Sequence, residues 1–129
     1  MGSGLMRRFI PIARLMTPGR LAEIKRVTQT MESRHRRPEA EGAGRSINLD
    51  PGYLDHFKLV LASTKNASQR IYLRGGIFAE ATLFYHSGKF HGLPYTYPDY
   101  LWPESMRYFV SLRQRYLAQI RSRDSVPSL

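Results

Sequence analysis

The 129 residues are 42% apolar and 23% charged, the balance of one globular domain and not of a disordered segment. No apolar run nears the ~20 residues that span a bilayer, no long apolar stretch follows Met1-Gly2-Ser3-Gly4 to mark a secretory leader, and the lack of cysteine excludes disulfides and thiolate metal sites. Lys and Arg number 20 against 10 Asp and Glu, so a net charge of +10 would attract nucleic acid or other polyanions non-specifically, the favoured reading being a solvated basic surface with no dedicated partner; the cytoplasm is the expected compartment.

From the N-terminus, Arg8 to Leu15 reads as a short strand, with Phe9, Ile10, Ile12 and Leu15 apolar. Thr17-Pro18 is a helix start, because threonine suits the N-cap and proline at the first helical position forfeits no hydrogen bond. Leu21, Ile24, Val27, Thr28 and Met31 recur at helical spacing, which predicts an amphipathic helix to about Arg36. Arg20, Glu23, Lys25, Arg26 and Glu32 fall on its outer face. Pro38 to Gly44 is a polar loop, Arg45 to Leu49 a strand, and Asp50-Pro51-Gly52 the turn that closes it. Tyr53 to Thr64 is ambiguous, since a short apolar run does not settle the period; helix is preferred.

Gln69 to Leu73 and Ile77 to Tyr85 form a hairpin whose register can be argued. A two-residue loop at Gly75-Gly76 pairs Ile71 with Glu80 and puts Arg70 and Tyr72 on the face of Ile77, Ala79, Ala81 and Leu83. A three-residue loop, Arg74-Gly75-Gly76, pairs Leu73 with Ile77, Ile71 with Ala79 and Arg70 with Glu80. That register leaves one apolar face and one carrying Arg70, Tyr72, Phe78, Glu80 and Thr82. A one-residue slip exchanges the faces, so the longer loop is expected. Ser87-Gly88 turns the chain again and sets Phe90 beside Tyr85 in a third short strand. Gly92 to Trp102 is irregular and rich in Pro and Tyr. Pro103 opens the last helix, with Met106, Phe109, Val110, Tyr116, Leu117 and Ile120 as its buried stripe. The sum is an α+β domain over residues 1–122, a small antiparallel or mixed sheet packed against two or three helices. Residues 123–129 are expected to form a disordered tail.

Motifs that carry chemistry are few. A P-loop needs a Gly-rich turn ending in Gly-Lys-Ser/Thr. Gly75-Gly76 sits in a hairpin and Ser87-Gly88-Lys89 has the wrong order, which argues against a P-loop GTPase. Ser63-Thr64-Lys65-Asn66 still offers a lysine to a phosphate. His35, His56, His86 and His91 lack finger or helical spacing, although His86 and His91 flank a turn and face each other across it. No cofactor or metal is expected. No Gly-Xaa-Ser-Xaa-Gly elbow occurs, and Asp50, Glu80, Asp99 and Glu104 can pair as acid and base only if folding joins them. The richest constellation is Lys58, Lys65, Arg70, Tyr72, Glu80 and Thr82 with the loop Thr96-Tyr97-Pro98-Asp99-Tyr100. An Arg70–Glu80 pair flanked by aromatics suits a small anionic or polar ligand, and tyrosines in a Pro-stiffened loop add hydroxyls and stacking faces at low entropic cost. The competing reading is a cross-strand ion pair worth ~0.2–1 kcal/mol beneath a covering loop. Arg34, His35, Arg36 and Arg37 form one basic block; Arg113, Arg115, Arg121 and Arg123 form another. Aromatic residues lie in the strand-like segments and not between these arginines.

Several runs together resemble one family. They are Asn48-Leu49-Asp50-Pro51-Gly52-Tyr53, Lys58-Leu59-Val60-Leu61-Ala62-Ser63-Thr64-Lys65, Arg70-Ile71-Tyr72-Leu73, Gly76-Ile77-Phe78-Ala79-Glu80, Thr96-Tyr97-Pro98-Asp99-Tyr100 and Pro103-Glu104. Upstream, Leu5-Met6-Arg7-Arg8-Phe9 and Leu21-Ala22-Glu23-Ile24-Lys25 fit the same pattern. Over residues 1–118 the chain resembles the bacterial family called domain of unknown function 4416. The resemblance implies no established activity, although some members carry a "GTP-binding protein" label. Similar proteins are typically longer at the N-terminus by a strand and a helix, so this chain reads as a truncated member with an exposed sheet edge. Three readings follow. The preferred one is a binding module for a phosphorylated or nucleotide-like small ligand, an anionic partner held by Lys58, Lys65, Arg70, Tyr72, Glu80, Thr96, Tyr97 and Asp99. The second is a nucleic-acid-associated protein that binds weakly through its basic surface; the third is an enzyme using Asp50, Glu80 or Asp99. No membrane partner is expected, and the oligomeric state is left open.

Overall fold

The computed structural model describes residues 7–12, 14–34 and 48–124. Among these residues a 3-10 turn at Pro18–Arg20 leads into helix α1 (Leu21–Arg34). Strands β1 (Gly52–Leu54), β2 (Lys58–Ser63), β3 (Arg70–Arg74), β4 (Ile77–His86) and β5 (Lys89–Gly92) follow, then a 3-10 turn at Pro98–Leu101 and helix α2 (Pro103–Asp124). The architecture is α+β: an antiparallel sheet in the order β1-β2-β4-β3, with β5 also on β4. Because β2 holds one edge of β4, β3 and β5 share the other edge end to end, at Ile77–Glu80 and Leu83–His86.

Tyr53 to Thr64 is two strands and not a helix. The carboxylate of Asp55 accepts the N–H groups of Phe57 and Lys58 at 2.8 and 3.0 Å, which bends the chain between β1 and β2. β2 is covered on both sides, so its sequence shows no alternation. Val60 and Ala62 pack with Leu21, Ala22 and Ile77 beneath α1. Leu59 packs with Leu83, Phe90, Tyr100 and Phe109 on the α2 side. Each Val, Leu, Ile or Phe among them contributes roughly 1.5–3 kcal/mol by leaving water, and each Ala about 0.8 kcal/mol.

The hairpin keeps the expected pairs Arg70–Glu80 and Ile71–Ala79, but its loop has two residues and not three. Gly75 and Gly76 take φ of +60° and +79°, the left-handed pair that a two-residue turn requires. The spare residue is Leu73, bulged out between the pairs Tyr72–Phe78 and Arg74–Ile77. β4 has its own bulge: Leu59 faces Leu83 while Val60 faces Ala81, which leaves Thr82 extra. Odd-numbered β4 residues therefore serve α1 before the bulge (Ile77, Ala79) and α2 after it (Leu83, Tyr85). Ile71 belongs to the expected apolar face yet is 72% exposed, since α1 does not reach over β3. The β4–β5 turn does bring Phe90 opposite Tyr85.

Elsewhere the helices and the N-terminal segment depart from the sequence pattern. No strand forms among the described residues of the Arg8 to Leu15 span. Pro11 interrupts it by removing a ladder donor, and Phe9 instead packs its ring on Tyr100, Tyr108 and Phe109. α1 buries Lys25 and Glu32 while Val27 and Met31 are 57% and 45% exposed. The cause is the peptide of Leu49: its carbonyl accepts from Lys25 Nζ at 3.2 Å, and its N–H donates to Glu32 at 2.8 Å. Asn48 and Leu49 are irregular and not a strand, while residues 45–47, the loop from Pro38 to Gly44 and the expected helix end at residues 35–36 lie outside the described residues. In α2 Phe109 is fully buried, whereas Met106, Val110, Tyr116, Leu117 and Ile120 are half-buried. The helix continues through Asp124, and residues 125–129 lie outside the described residues.

Candidate functional site

Folding distributes the residues expected to form one site over four places. At the β3 end of β4, the Arg70 guanidinium meets Glu80 at 3.1 Å. Gln69 donates to the same carboxylate at 3.1 Å and Thr82 at 3.3 Å. Arg70 also donates to the carbonyl of Lys65 at 2.9 Å, so Lys65 contributes its backbone there. Tyr72 packs edge-on against Phe78 and accepts the N–H of Gly76 at 3.3 Å. Arg70, Tyr72, Glu80 and Thr82 are thus brought together, and the polar groups of this cluster answer one another.

Tyr95 and Thr96 bind β4 itself. Between the ends of β3 and β5, the Tyr95 hydroxyl donates to the Ala81 carbonyl and the Thr96 hydroxyl to the Thr82 carbonyl, the latter at 2.7 Å. Burial, and then the nearby Glu80 charge, push the Tyr95 hydroxyl pKa up. Buried Thr96 also accepts the N–H of Leu93 at 2.9 Å, so it closes the loop on the bulged strand.

Asp99 sits in a second cluster with Asp50. Arg7 holds Asp99 by an Nε hydrogen bond, donates to Tyr100 Oη at 2.8 Å and lies 3.8 Å from Asp50. Lys25 approaches Asp50 from α1 at 3.9 Å. The Arg7 guanidinium also stands over the Tyr100 ring at 4.7 Å and the Tyr97 ring at 5.9 Å. Burial pushes the Tyr100 hydroxyl up to about 12, with Asp50 and Asp99 adding to the shift and Arg7 opposing it. Both carboxylates lie beside a cation, which suits anchoring the Arg7 segment across the sheet and the Tyr-rich loop. The sequence places Arg7 in a shared run but gives no sign of its partners, 43 to 93 positions away.

Lys58 lies at the other end of β4. It is opposite Phe84, four residues and ~13 Å along the strand from Glu80. Phe84 in turn is opposite His91, so Lys58, Phe84 and His91 form one row across β2, β4 and β5. The Phe84 and His91 rings stack at 5.2 Å and 20°. Strand alternation puts His86 and Lys89 on the same face, and the His86 ring is 6.0 Å from His91. The ring of Phe57, 67% exposed, stands 6.0 Å from Lys58 Nζ. This is the face that α1 covers at Val60, Ala62 and Ile77; here Phe84, His86 and Lys89 are exposed and Lys58 and His91 half-buried. Asp55 holds Lys58 at 3.2 Å from the rim. On the opposite face, Arg113 of α2 lies 3.6 Å from the centroid of Tyr85 and donates to the His56 carbonyl at 2.9 Å.

No helix of the described residues is long and apolar enough to cross a membrane. A family model described as a domain of unknown function (DUF4416) matches residues 1–116. No curated protein and no solved structure matches the chain.

Proposed function

The chain belongs to the family of the domain of unknown function DUF4416, and we propose that it binds single-stranded nucleic acid on the uncovered end of its sheet. The observation that carries this reading is the Lys58–Phe84–His91 row with its stacked rings. Bases stack on exposed aromatic faces without regard to sequence, and cations beside them meet the phosphates. Lys89 at the β4–β5 turn lines a groove of about 280 Å³ with Arg107 of α2, which extends the cationic track round the sheet edge. Arg115, Arg121 and Arg123, exposed along α2, add further positive charge. A net charge of +10 adds the long-range attraction. The surface is open and not enclosed, which fits an extended strand better than a small molecule that needs a concave pocket.

The test is fluorescence anisotropy with labelled single-stranded and duplex oligonucleotides at several salt concentrations. Single strands should bind more tightly than duplex, and affinity should fall steeply with salt. The double substitution Phe84→Ala, His91→Ala should weaken single-strand binding by about 5-fold to 100-fold while Arg115→Glu weakens it less. Equal binding of duplex, or full affinity after loss of both rings, would refute the platform. Arg113 is unsuitable as a probe because its guanidinium holds Tyr85 and His56 inside the fold.

A further inference from the structure

We propose that the groove between α1 and the tip of the β3–β4 hairpin binds a phosphoryl group, as inorganic phosphate or as a small phosphate monoester, between Arg26 and Arg74. The groove has a volume of about 370 Å³ and is lined by Ala22, Glu23, Arg26, Arg74 and Gly75. That lies at the small end of ligand sites, large enough for a compact anion and its immediate substituent.

Two features of the chain build it. The bulge at Leu73 reverses the alternation of β3, so that Arg74 pairs with Ile77 and projects on the α1 side, away from Arg70 and Tyr72. Arg74 then donates one Nη to the carbonyl of Gly19 at 3.1 Å, which fixes the guanidinium at the groove and leaves its other N–H groups for a ligand. From the helix, Arg26 lies against Gly75: a Cβ there would sit 3.0 Å from Arg26 Nη1. Gly75, whose φ of +60° suits glycine, leaves the Arg26 guanidinium room against the turn.

The electrostatics favour an anion. Among the described residues no carboxylate lies within ion-pair distance of Arg26 or Arg74. The one acidic lining residue, Glu23, is held by Arg20 at 3.2 Å. Two guanidiniums, those of Arg26 and Arg74, thus line the groove with one carboxylate that already has a cation of its own. Planar forks match phosphate oxygens in two-point hydrogen bonds, which an ammonium group cannot copy. This site lies beyond the sheet platform and shares no residue with it.

The experiment is a thermal melt of the full chain with inorganic phosphate and with glucose 6-phosphate, against sodium chloride at matched ionic strength, with phosphorus NMR line broadening as the second readout. Both phosphates should raise the melting temperature with the logarithm of their concentration, by roughly 5 °C at about ten times the dissociation constant. Arg26→Gln and Arg74→Gln should each weaken binding about tenfold or more, and Arg26→Lys should recover only part of it. Phe84→Ala should leave the phosphate response unchanged, which separates this site from the platform. A response matched by chloride, or one that survives both glutamine substitutions by melt and by NMR, would overturn the proposal. A glutamine variant that melts lower without ligand is judged by NMR below its transition, where retained broadening counts against the site.

Discussion

Against α2 the sheet sets Leu59, Leu83 and Phe90, and Phe109 and Tyr100 close over them, with Phe9 and Tyr108 beside. Against α1 it sets Val60, Ala62 and Ile77, with Tyr53 and Ala79 beside, and among the described residues the buried apolar side chains it receives from the helix are Leu21 and Ala22. The first side is an aromatic cluster, its ring centroids separated by 4.9 Å at Phe9–Phe109 and 6.3 Å at Phe90–Phe109. The second is small and is completed by buried Lys25 and Glu32 gripping the peptide of Leu49. Apolar area locates stability on the α2 side. Polar anchoring on the α1 side fixes where the chain enters the sheet, while part of that face has no cover among the described residues. A lean layer and an uncovered platform are two aspects of one arrangement.

Removing the ring that most of the aromatic cluster touches should separate the two faces most clearly. Phe109→Ala is expected to lower unfolding free energy by about 3–5 kcal/mol in urea melts, against about 0.5–1.5 kcal/mol for Ile77→Val on the α1 side. Equal losses would show that the faces do not differ in the way their side chains suggest.

Alkaline titration probes the same aromatic side. The Tyr100 hydroxyl is pushed up to about 12 in the fold, above its ordinary value near 10, so the unfolded chain gives up that proton first. Stability should be intact below about pH 10 and should fall as pH rises towards 12, with Tyr100 accounting for roughly 2–3 kcal/mol. Tyr100→Phe should flatten that part of the curve in melts recorded from pH 9 to 12.

The effect on the α1 side should be smaller and should not depend on burial of apolar area. Lys25→Met keeps the length of the side chain but leaves the Leu49 carbonyl without its donor, an expected cost of about 1–3 kcal/mol. A stabilised variant would mean that the ammonium group is a burden on the face and not its anchor.

What the sequence disclosed and what it withheld follow from range. The hairpin around Gly75-Gly76 was legible because its pairing is local: Arg70 seeks Glu80, and two glycines mark the bend. β2 was not, since covering both of its faces erases the alternation that identifies a strand. Lys25 and Glu32 read as solvent-facing because their partner is a backbone peptide at Leu49, a group that no side-chain pattern reports. Lys58 and Arg70 were grouped as neighbours, yet strand pairing carries them to opposite ends of β4. The Phe84–His91 stack escaped notice for a further reason. Counting alternately from Ile77 puts Phe84 with Glu80, and the bulge at Thr82 moves it to the other face.

Two supernumerary residues, Leu73 and Thr82, therefore act as phase shifts in the ladder. Exchanging the side chain at either leaves the count intact. Deleting Thr82 would let Leu83 follow Ala81 directly and keep its pairing with Leu59, so Leu83 and Tyr85 would stay on the aromatic side and only the bulge would be lost. The extra residue therefore serves attachment and not pairing: its hydroxyl reaches the Glu80 carboxylate and its carbonyl holds Thr96.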